Sequence, residues 1–327
     1  MRSLSVVGLG FALASTLTSV SAHADSARDA SFRTALGLRW APIHHQQTHR
    51  DGRHSLDGAA DYLTSFDFDG DFDARNNWEN CGNPRYPLTA HAYFSMTETR
   101  SHWFVIYVFF HPRDWSSRFL ETEHENDSEG VLVAIERDGS RFGTLRAAVT
   151  VVHDDFYSYV PPGSPWRSGH EDIDGELSLQ PFEGELHPVT AQQAESHALK
   201  AWPYYSIAHE GIIYYPSQTE AELPASSDDR DVRYRLHDLL EVGGLWQRRD
   251  DVALFASFGS FAGDTAGDCG AGALWCGSNS AHAPWGWNDR DDTLPSGTMA
   301  RDPALLFARY FDTRRALSRA YRFNPFR

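Results

Sequence analysis

Eight consecutive apolar or aromatic residues, Trp103 to Phe110, constrain the fold of this chain more than any other segment. A run of this kind is typical of a strand buried on both faces or of a core helix. Its β-branched and aromatic residues, its short length and the proline at position 112 favour the strand. A second strand, Gly130 to Ile135, follows after a short polar segment. The sequence therefore predicts two buried strands with polar side chains gathered where they end.

The polar segment between these strands holds a candidate metal site. Asp114 ends the first strand, and His124, Asp127 and Glu129 precede the second. Asp127 and Glu129 are two residues apart, so in a strand their side chains leave the same face. Carboxylates forced together repel unless a positive group lies between them. The set predicts a divalent cation, Ca²⁺, Mg²⁺ or Mn²⁺. The alternative is a solvated loop in which Arg113 pairs with one carboxylate.

The same residues resemble a known protein family. Residues 107–135 resemble the necrosis-inducing, Nep1-like (NLP) family of secreted cytolysins and its vacuolar protein sorting-like relatives. In that family a hydrophobic strand ends in Pro-Lys-Asp, and the heptapeptide GHRHDWE follows; this chain has HPRD and then EHENDSE. The resemblance implies that the divalent ion is held by the matching residues, Asp114, His124, Asp127 and Glu129.

The heptapeptide of this chain differs from the family's at four positions. Glu123 stands in place of Gly, Glu125 in place of Arg, Asn126 in place of the second His, and Ser128 in place of Trp. His124, Asp127 and Glu129, at the positions of the family's metal ligands, are the same residues as in the family. The other four residues of the heptapeptide differ. The resemblance therefore implies a metal-bearing scaffold more strongly than it implies cytolytic activity.

The rest of the pattern indicates one mainly β domain over residues 25–327. We expect an antiparallel β-sandwich with peripheral helices and long loops, which the resemblance also implies. Asp138-Gly139 predicts a hairpin, and Asp302-Pro303 predicts the start of a helix. Alternating Phe and Asp residues favour a strand over residues 61–73, with the Asp row as a second cation site; an acidic calcium loop is the alternative. A short helix is predicted from Thr190 to Leu199.

The N-terminus and the charge of the chain predict an exported protein. Residues 1–24 read as a signal peptide, with Arg2, an apolar stretch and a small-residue cleavage site, so we expect secretion to the periplasm or the exterior. No later window approaches a transmembrane span. The formal net charge of −16 disfavours nucleic acid as a partner.

The three cysteines are consistent with a disulfide outside the cytosol. Cys269 and Cys276 are seven positions apart and predict a small disulfide-closed loop. Cys81 is then left over, or it pairs with one of the other two.

Two functions fit these features. In the first, which the family resemblance implies, a secreted binding or toxin-like protein uses the ion to hold a glycan or lipid headgroup, without breaking a bond. Four further residues are candidate ligand contacts: His153, Glu125, Trp166 and His209. Trp166 has the alternative role of a loop anchor, and His153 that of a turn residue.

In the second function, a metal-dependent extracellular hydrolase activates water, and Glu129, Glu125 or His153 transfers the proton. The chain lacks a G-x-S-x-G elbow, a phosphate loop and an H-E-x-x-H motif, which favours the binding role over catalysis. A purely structural ion that joins the two strands is a third interpretation.

Overall fold

The computed structural model describes residues 26–118, 123–205, 207, 210–263, 276–277 and 281–327. The expected signal peptide, His209 and Cys269 lie outside the described residues. The α-helices are α1 (Ala30–Trp40), α2 (Asn77–Asn80), α3 (Thr298–Arg301) and α4 (Pro303–Tyr310). Short 3₁₀ helices span Leu56–Asp61 and Leu245–Arg248. The helices within these ranges are too short or too polar to cross a membrane.

The described strands follow one another along most of the chain. The first nine are β1 (Ile43–Gln47), β2 (His91–Thr99), β3 (His102–Asp114), β4 (Glu123–Glu136), β5 (Thr144–Val152), β6 (Asp155–Val160), β7 (Arg167–Ser168), β8 (Gly175–Glu176) and β9 (Leu179–Phe182). The others are β10 (Glu185–Gln192), β11 (Leu199–Ala201), β12 (Gly211–Ser217), β13 (Val232–Asp238), β14 (Phe255–Ser257), β15 (Ser260–Phe261), β16 (Cys276–Gly277), β17 (Phe311–Asp312) and β18 (Tyr321–Phe323).

Within the described residues, 14 of these strands form one mixed sheet. Its main path runs β11-β10-β1-β12-β13-β2-β3-β4-β5-β6-β8. Each adjacent pair from β2 to β6 is antiparallel. In contrast, β1 with β10, β12 with β13, β13 with β2 and β6 with β8 are parallel pairs. The mainly β class is confirmed. The predicted antiparallel sandwich is not confirmed, because the main sheet is mixed, and β14 with β15 and β7 with β17 form two small further sheets. Alternation along a strand does not encode the direction of its partner.

The sheet curls until its two ends meet. Lys200 on β11 places its Nζ atom 3.8 Å from the centroid of the Tyr157 ring on β6. Just after β11, the hydroxyl of Tyr204 accepts a hydrogen bond of 2.8 Å from the backbone N–H of Glu176 on β8. These contacts join strands that lie at opposite ends of the sheet order.

Strand β3 is buried on both faces, as its apolar run predicted. Its odd-numbered residues from 103 to 109 belong to the core that contains Leu36 of α1. Its even-numbered residues from 104 to 110 belong to a second core, which contains Phe307 of α4 and much of the C-terminal segment. Hydrophobic cores therefore pack against both faces of β3. The polar end of β3 is positioned by its backbone pairing with β4.

Two local predictions are confirmed. Asp138-Gly139 lies in the connection between β4 and β5, and the Asp302 side chain accepts a hydrogen bond of 3.3 Å from the Leu305 N–H at the start of α4.

Two other segments fold differently from their prediction. Residues 61–73 form no strand: Asp61 ends a 3₁₀ helix and residues 66–69 form a turn. Asp69 and Asp71 accept hydrogen bonds from the N–H groups two residues later. Short aspartate side chains stabilise such turns locally, and this competes with strand pairing. The predicted helix at Thr190 is also wrong, because residues 190–192 belong to β10.

Candidate functional site

The polar ends of β3 and β4 belong to the sheet and not to a loop. Strand β3 continues through Pro112 to Asp114, and its ladder with β4 extends to the pair Asp114–His124. In the same ladder His111 lies opposite Asp127. The candidate metal ligands are therefore positioned by backbone pairing between two buried strands.

Asn126 interrupts the alternation of β4 between these ligands. Its φ of +60° is a left-handed conformation, which asparagine tolerates better than most residues. Its Nδ2 donates to the carbonyl oxygens of Ala74 at 2.7 Å and Ala262 at 2.9 Å, and its Oδ1 accepts from Asn77 at 2.6 Å. The left-handed backbone at Asn126 changes the alternation of side chains along β4. His124 and Asp127, which are three positions apart, can therefore line the same cavity.

A cavity of about 300 Å³ lies at this end of the strands. Its polar lining includes His124, Asp127, Ser128, Glu129, His153 and His282. Trp287 closes one side, and its Nε1 donates to the Ser128 carbonyl at 3.0 Å. A Cβ atom at Gly130 would lie 2.4 Å from the Trp287 ring, so this close approach requires the glycine.

Glu129 is a carboxylate of this cavity with one oxygen that has no partner among the described residues. Its side chain is buried, with 2 % of the residue exposed. Oε1 accepts a hydrogen bond of 2.8 Å from the backbone N–H of His153, but Oε2 is buried and has no hydrogen-bond partner among the described residues. Burial, and then the neighbouring Asp127, raise the pKa of Glu129 well above its ordinary value of 4.5.

Asp127 has a cationic partner in the protein itself. His197 is fully buried, with Nδ1 at 2.9 Å from Asp127 Oδ2 and Nε2 at 3.3 Å from Asp61 Oδ1. Its ring stacks on His111, with centroids 3.7 Å apart. Burial lowers the pKa of His197, but the hydrogen bonds to Asp127 and Asp61 outweigh burial and raise it to about 9. The imidazolium therefore holds Asp127 in place.

Asp114 and His124 form the second polar pair. His124 Nε2 lies 3.5 Å from Asp114 Oδ2. His124 Nδ1 lies 3.1 Å from the carbonyl oxygens of Glu125 and Asn126, and because carbonyl oxygens only accept, Nδ1 carries the proton. Nε2 is then the nitrogen available as a ligand. Burial raises the pKa of Asp114 to about 7, although His124 acts against it.

The four predicted ligands surround one region but do not converge on one point. His124, Asp127 and Glu129 line the cavity, while Asp114 reaches it through His124. Across the described residues, the only group of three or more metal-ligating side chains with atoms all within 4.8 Å is Asp155, Asp289 and Asp291. The donor set of the cavity is nevertheless rich in buried carboxylate oxygen, which is what a hard divalent cation prefers.

The other predicted contacts fall in different places. His153 lies at the cavity rim, its side chain 48 % exposed, with Nδ1 at 3.6 Å from Glu129 Oε1. Glu125 is buried and accepts a hydrogen bond of 3.1 Å from the Trp78 N–H, so it faces α2 and does not line the cavity.

Trp166 is a core anchor. Its ring is 2 % exposed and lies 5.5 Å from that of His102, at the opposite end of β3. That end is about 40 Å from Asp114 along the strand. Trp166 therefore has the role of loop anchor that the sequence left open, and not that of an exposed stacking surface. His209 is outside the described residues.

Sequence reasoning missed His197 and Asp61. Asp61 begins the aspartate-rich segment 61–73, which gives no sign of this role, and the contacts of His197 with Asp127 and Asp61 span 70 and 136 positions. The local patterns around these residues carry no sign of such distant pairing.

Comparisons with known proteins give a partial likeness of fold. No protein-family model and no curated protein matches the chain. Solved structures similar to it include a non-toxic HaNLP3 protein, 18 % identical, over 51 % of this chain and 67 % of that one, with a TM-score of 0.29. Necrosis and Ethylene inducing Protein 2, from the causal agent of cocoa's Witches Broom disease, is 16 % identical over 51 % and 66 %, with a TM-score of 0.28.

A third solved structure, NLPPya in complex with glucosamine, is 11 % identical over 64 % of this chain and 74 % of that one, with a TM-score of 0.28. These structures are NLP proteins, and they do not support the vacuolar protein sorting-like relatives. At such identities and TM-scores the likeness concerns part of the fold and carries no argument about function.

Proposed function

We propose that this protein binds a divalent cation, Ca²⁺, Mg²⁺ or Mn²⁺, at Asp114, His124, Asp127 and Glu129, and uses it to hold an oxygen-rich ligand. The ligand class is a glycan or a lipid headgroup, and the protein acts by binding and not by catalysis. Export of the protein, inferred from residues 1–24, belongs to the same proposal.

The observation that carries this proposal is the unpartnered Oε2 atom of Glu129. A buried acceptor without a donor costs about 1–3 kcal/mol, and more when it is charged. His197 serves Asp127 and Asp61, and His153 reaches only Oε1 of Glu129. A cation in the cavity would supply the missing positive charge beside Oε2.

The ion would supply an attachment point for ligand oxygen atoms. Divalent cations of this class take six or more oxygen ligands, so protein side chains alone would leave positions for water or ligand hydroxyls. The cavity of about 300 Å³ lies at the small end of the range for ligand sites. It suits one sugar ring or one headgroup, with Trp287 as an apolar wall.

Calorimetric titration with Ca²⁺, Mg²⁺ and Mn²⁺ tests the metal step. We expect the wild type to bind at least one of them in the cavity, and Glu129→Gln to weaken that binding at least about tenfold. Asp250→Asn is the matched control, because Asp250 is exposed and pairs only loosely with Arg249, at 3.8 Å. Equal titrations of wild type and Glu129→Gln would refute the site.

A glycan array and phosphatidylinositol or sphingolipid vesicles test the ligand step. Binding should require the ion that titrates in the cavity and should disappear with EDTA or in Glu129→Gln. Binding that survives both treatments would show that the ligand site lies elsewhere.

A hydrolase remains the second candidate because of one contact. His153 Nδ1 lies 3.6 Å from Glu129 Oε1 at the rim of the cavity, where an imidazole is placed to transfer a proton. Nitrophenyl phosphodiesters and glycosides test it. Turnover that is lost in His153→Gln while the metal titration is unchanged would favour catalysis, and no turnover in the metal-loaded wild type would exclude these reactions.

A further inference from the structure

Three aspartates on two separate segments meet outside the four residues discussed above. Asp155 begins β6, and Asp289 and Asp291 belong to the segment that leads to α3. One carboxylate oxygen from each lies within 4.8 Å of those from the other two. The cluster lies close in sequence to the cavity that contains Glu129. Asp154 and Trp287 line that cavity, and Asp155 and Asp289 follow them by one and two positions.

Asp289 is a buried carboxylate with one unpartnered oxygen. It is 6 % exposed. Its Oδ2 accepts a hydrogen bond from the hydroxyl of Tyr310, whereas Oδ1 is buried and has no hydrogen-bond partner in the described part of the chain. Because Tyr310 occupies Oδ2, Oδ1 is the atom left to contact a positive ligand. Burial, and then the nearby Asp291, raise the pKa of Asp289 to about 7 against the hydrogen bond from Tyr310.

The two arginines near this cluster lie closest to other carboxylates, although Nε of Arg309 has no hydrogen-bond partner among the described residues. Arg290 lies between the two late aspartates in sequence but pairs with Asp154 at 3.0 Å. Arg309 is 3.9 Å from Asp292. Within the described ranges, none of Asp155, Asp289 and Asp291 has an ion-pair partner within 4.0 Å. The protein gathers three carboxylates here without a side-chain cation between them.

We propose that Asp155, Asp289 and Asp291 bind a Ca²⁺ ion, with Tyr310 as a positioning residue for Asp289. All the donors are oxygen atoms, which selects a hard cation, and Ca²⁺ accepts irregular geometry and water ligands. Asp291 is exposed, so water can complete the coordination on that side. The ion would join the turn between β5 and β6 to the segment after Trp287. This site is distinct from the cavity site and does not depend on it.

Equilibrium dialysis with ⁴⁵Ca²⁺ tests this site. Asp291→Asn is the first variant, because its exposed side chain makes loss of folding the least expected outcome. We expect the wild type to bind one more Ca²⁺ than Asp291→Asn, with a Kd in the range of about 10⁻⁴–10⁻³ M that is typical of extracellular sites. Asp155→Asn changes the other segment and should remove the same ion. Asp250→Asn should bind as the wild type does.

Tb³⁺ luminescence gives a second readout, because Tyr310 contacts Asp289 and can transfer excitation to an ion bound there. Trp287 lines the cavity and can sensitise an ion in the cavity as well. The signal should therefore fall in part in Asp291→Asn and in Asp155→Asn, and the part that these variants remove should persist in Glu129→Gln. Unchanged Ca²⁺ stoichiometry in both aspartate variants would overturn the site. Loss of Ca²⁺ in Glu129→Gln alone would refute this site and leave the cavity proposal standing. Loss in the two aspartate variants alone would support this site and would leave Mg²⁺ and Mn²⁺ as the candidate ions of the cavity.

Discussion

Oδ2 of Asp127 lies 2.9 Å from Nδ1 of His197, and both side chains are buried. The second nitrogen of His197 faces Asp61 at 3.3 Å, so one imidazolium serves two carboxylates. Glu129, two residues after Asp127, lines the same cavity but has no such partner in the described part of the chain for its Oε2 atom. The charge of Asp127 is therefore neutralised by His197, whereas the Oε2 atom of Glu129 is available to contact a ligand.

His197→Gln should destabilise the protein strongly. The substitution removes the positive charge that Asp61 and Asp127 share, and breaking a buried ion pair costs about 3–5 kcal/mol. We expect the free energy of unfolding, measured in urea at pH 7 with EDTA present, to fall by about that amount. The control is His170→Gln, an exposed histidine, which should change it by less than about 0.5 kcal/mol. Equal stability of the two variants would contradict the role assigned to His197.

Glu129→Gln should stabilise the protein without metal and should lose most of that advantage when metal is present. The raised pKa of Glu129 means that its charged form destabilises the fold as pH rises above 4.5. In EDTA at pH 8 the neutral amide should therefore raise the free energy of unfolding, by about 1–3 kcal/mol. In Mn²⁺ at about 100 times its Kd, the wild type should gain about 2.7 kcal/mol and the variant much less. Urea unfolding curves under both conditions check this, and the same metal response in both proteins would refute it.

His102 should make the fold sensitive to acid. Burial lowers its pKa from the ordinary value of 6.5 to about 4, so the unfolded chain binds the proton first as pH falls. Neutral His102 therefore contributes to the free energy of unfolding above pH 6.5, and this contribution is lost as the pH falls toward 4. The loss amounts to about 3 kcal/mol. His102→Phe, beside the Phe104 and Trp166 rings, removes this proton site.

Urea unfolding at pH 7 and pH 4 checks the role of His102. Relative to the wild type, the variant should gain about 3 kcal/mol on going to the lower pH. An identical difference between the two proteins at both pH values would show that His102 is not the group that titrates.

Cys81 should be unreactive until the protein unfolds. Its thiol is free and buried, and its Sγ lies 3.1 Å from the Trp78 carbonyl, to which it donates. Burial raises the pKa of this thiol to about 11, and the thiolate is the reactive form. We expect no iodoacetamide adduct at pH 8 in native protein and complete alkylation in urea, by peptide mass spectrometry. Native alkylation would place the thiol at the surface. The Cys269–Cys276 disulfide stays a prediction.

The central strand pair was predictable because its signal is local. Eight consecutive apolar residues and the following proline predicted β3. The two-residue spacing of Asp127 and Glu129 predicted that their side chains leave the same face of β4. Both features follow from strand geometry alone. Because the run from Trp103 to Phe110 contains no charged residue, both faces of β3 could be predicted to be buried. In the structure the two faces pack into different hydrophobic cores.

The curl of the sheet and the partners of the cavity were not predictable in this way. Parallel pairing of β1 with β10 depends on long connections, and no local pattern fixes its direction. His197 acquires its role only when β11 and its preceding turn reach the polar end of β4. The aspartates of residues 67–73 satisfied a strand pattern, but their side chains cap turns instead.

The most direct measurement is anomalous X-ray scattering from a crystal of the mature protein soaked in Mn²⁺. We predict an anomalous peak in the cavity between His124, Asp127 and Glu129, with carboxylate oxygen atoms about 2.0–2.6 Å away. The same crystal of Glu129→Gln should lose that peak. A wild-type cavity that contains only water at millimolar Mn²⁺, and also at millimolar Ca²⁺ and Mg²⁺, would contradict the account.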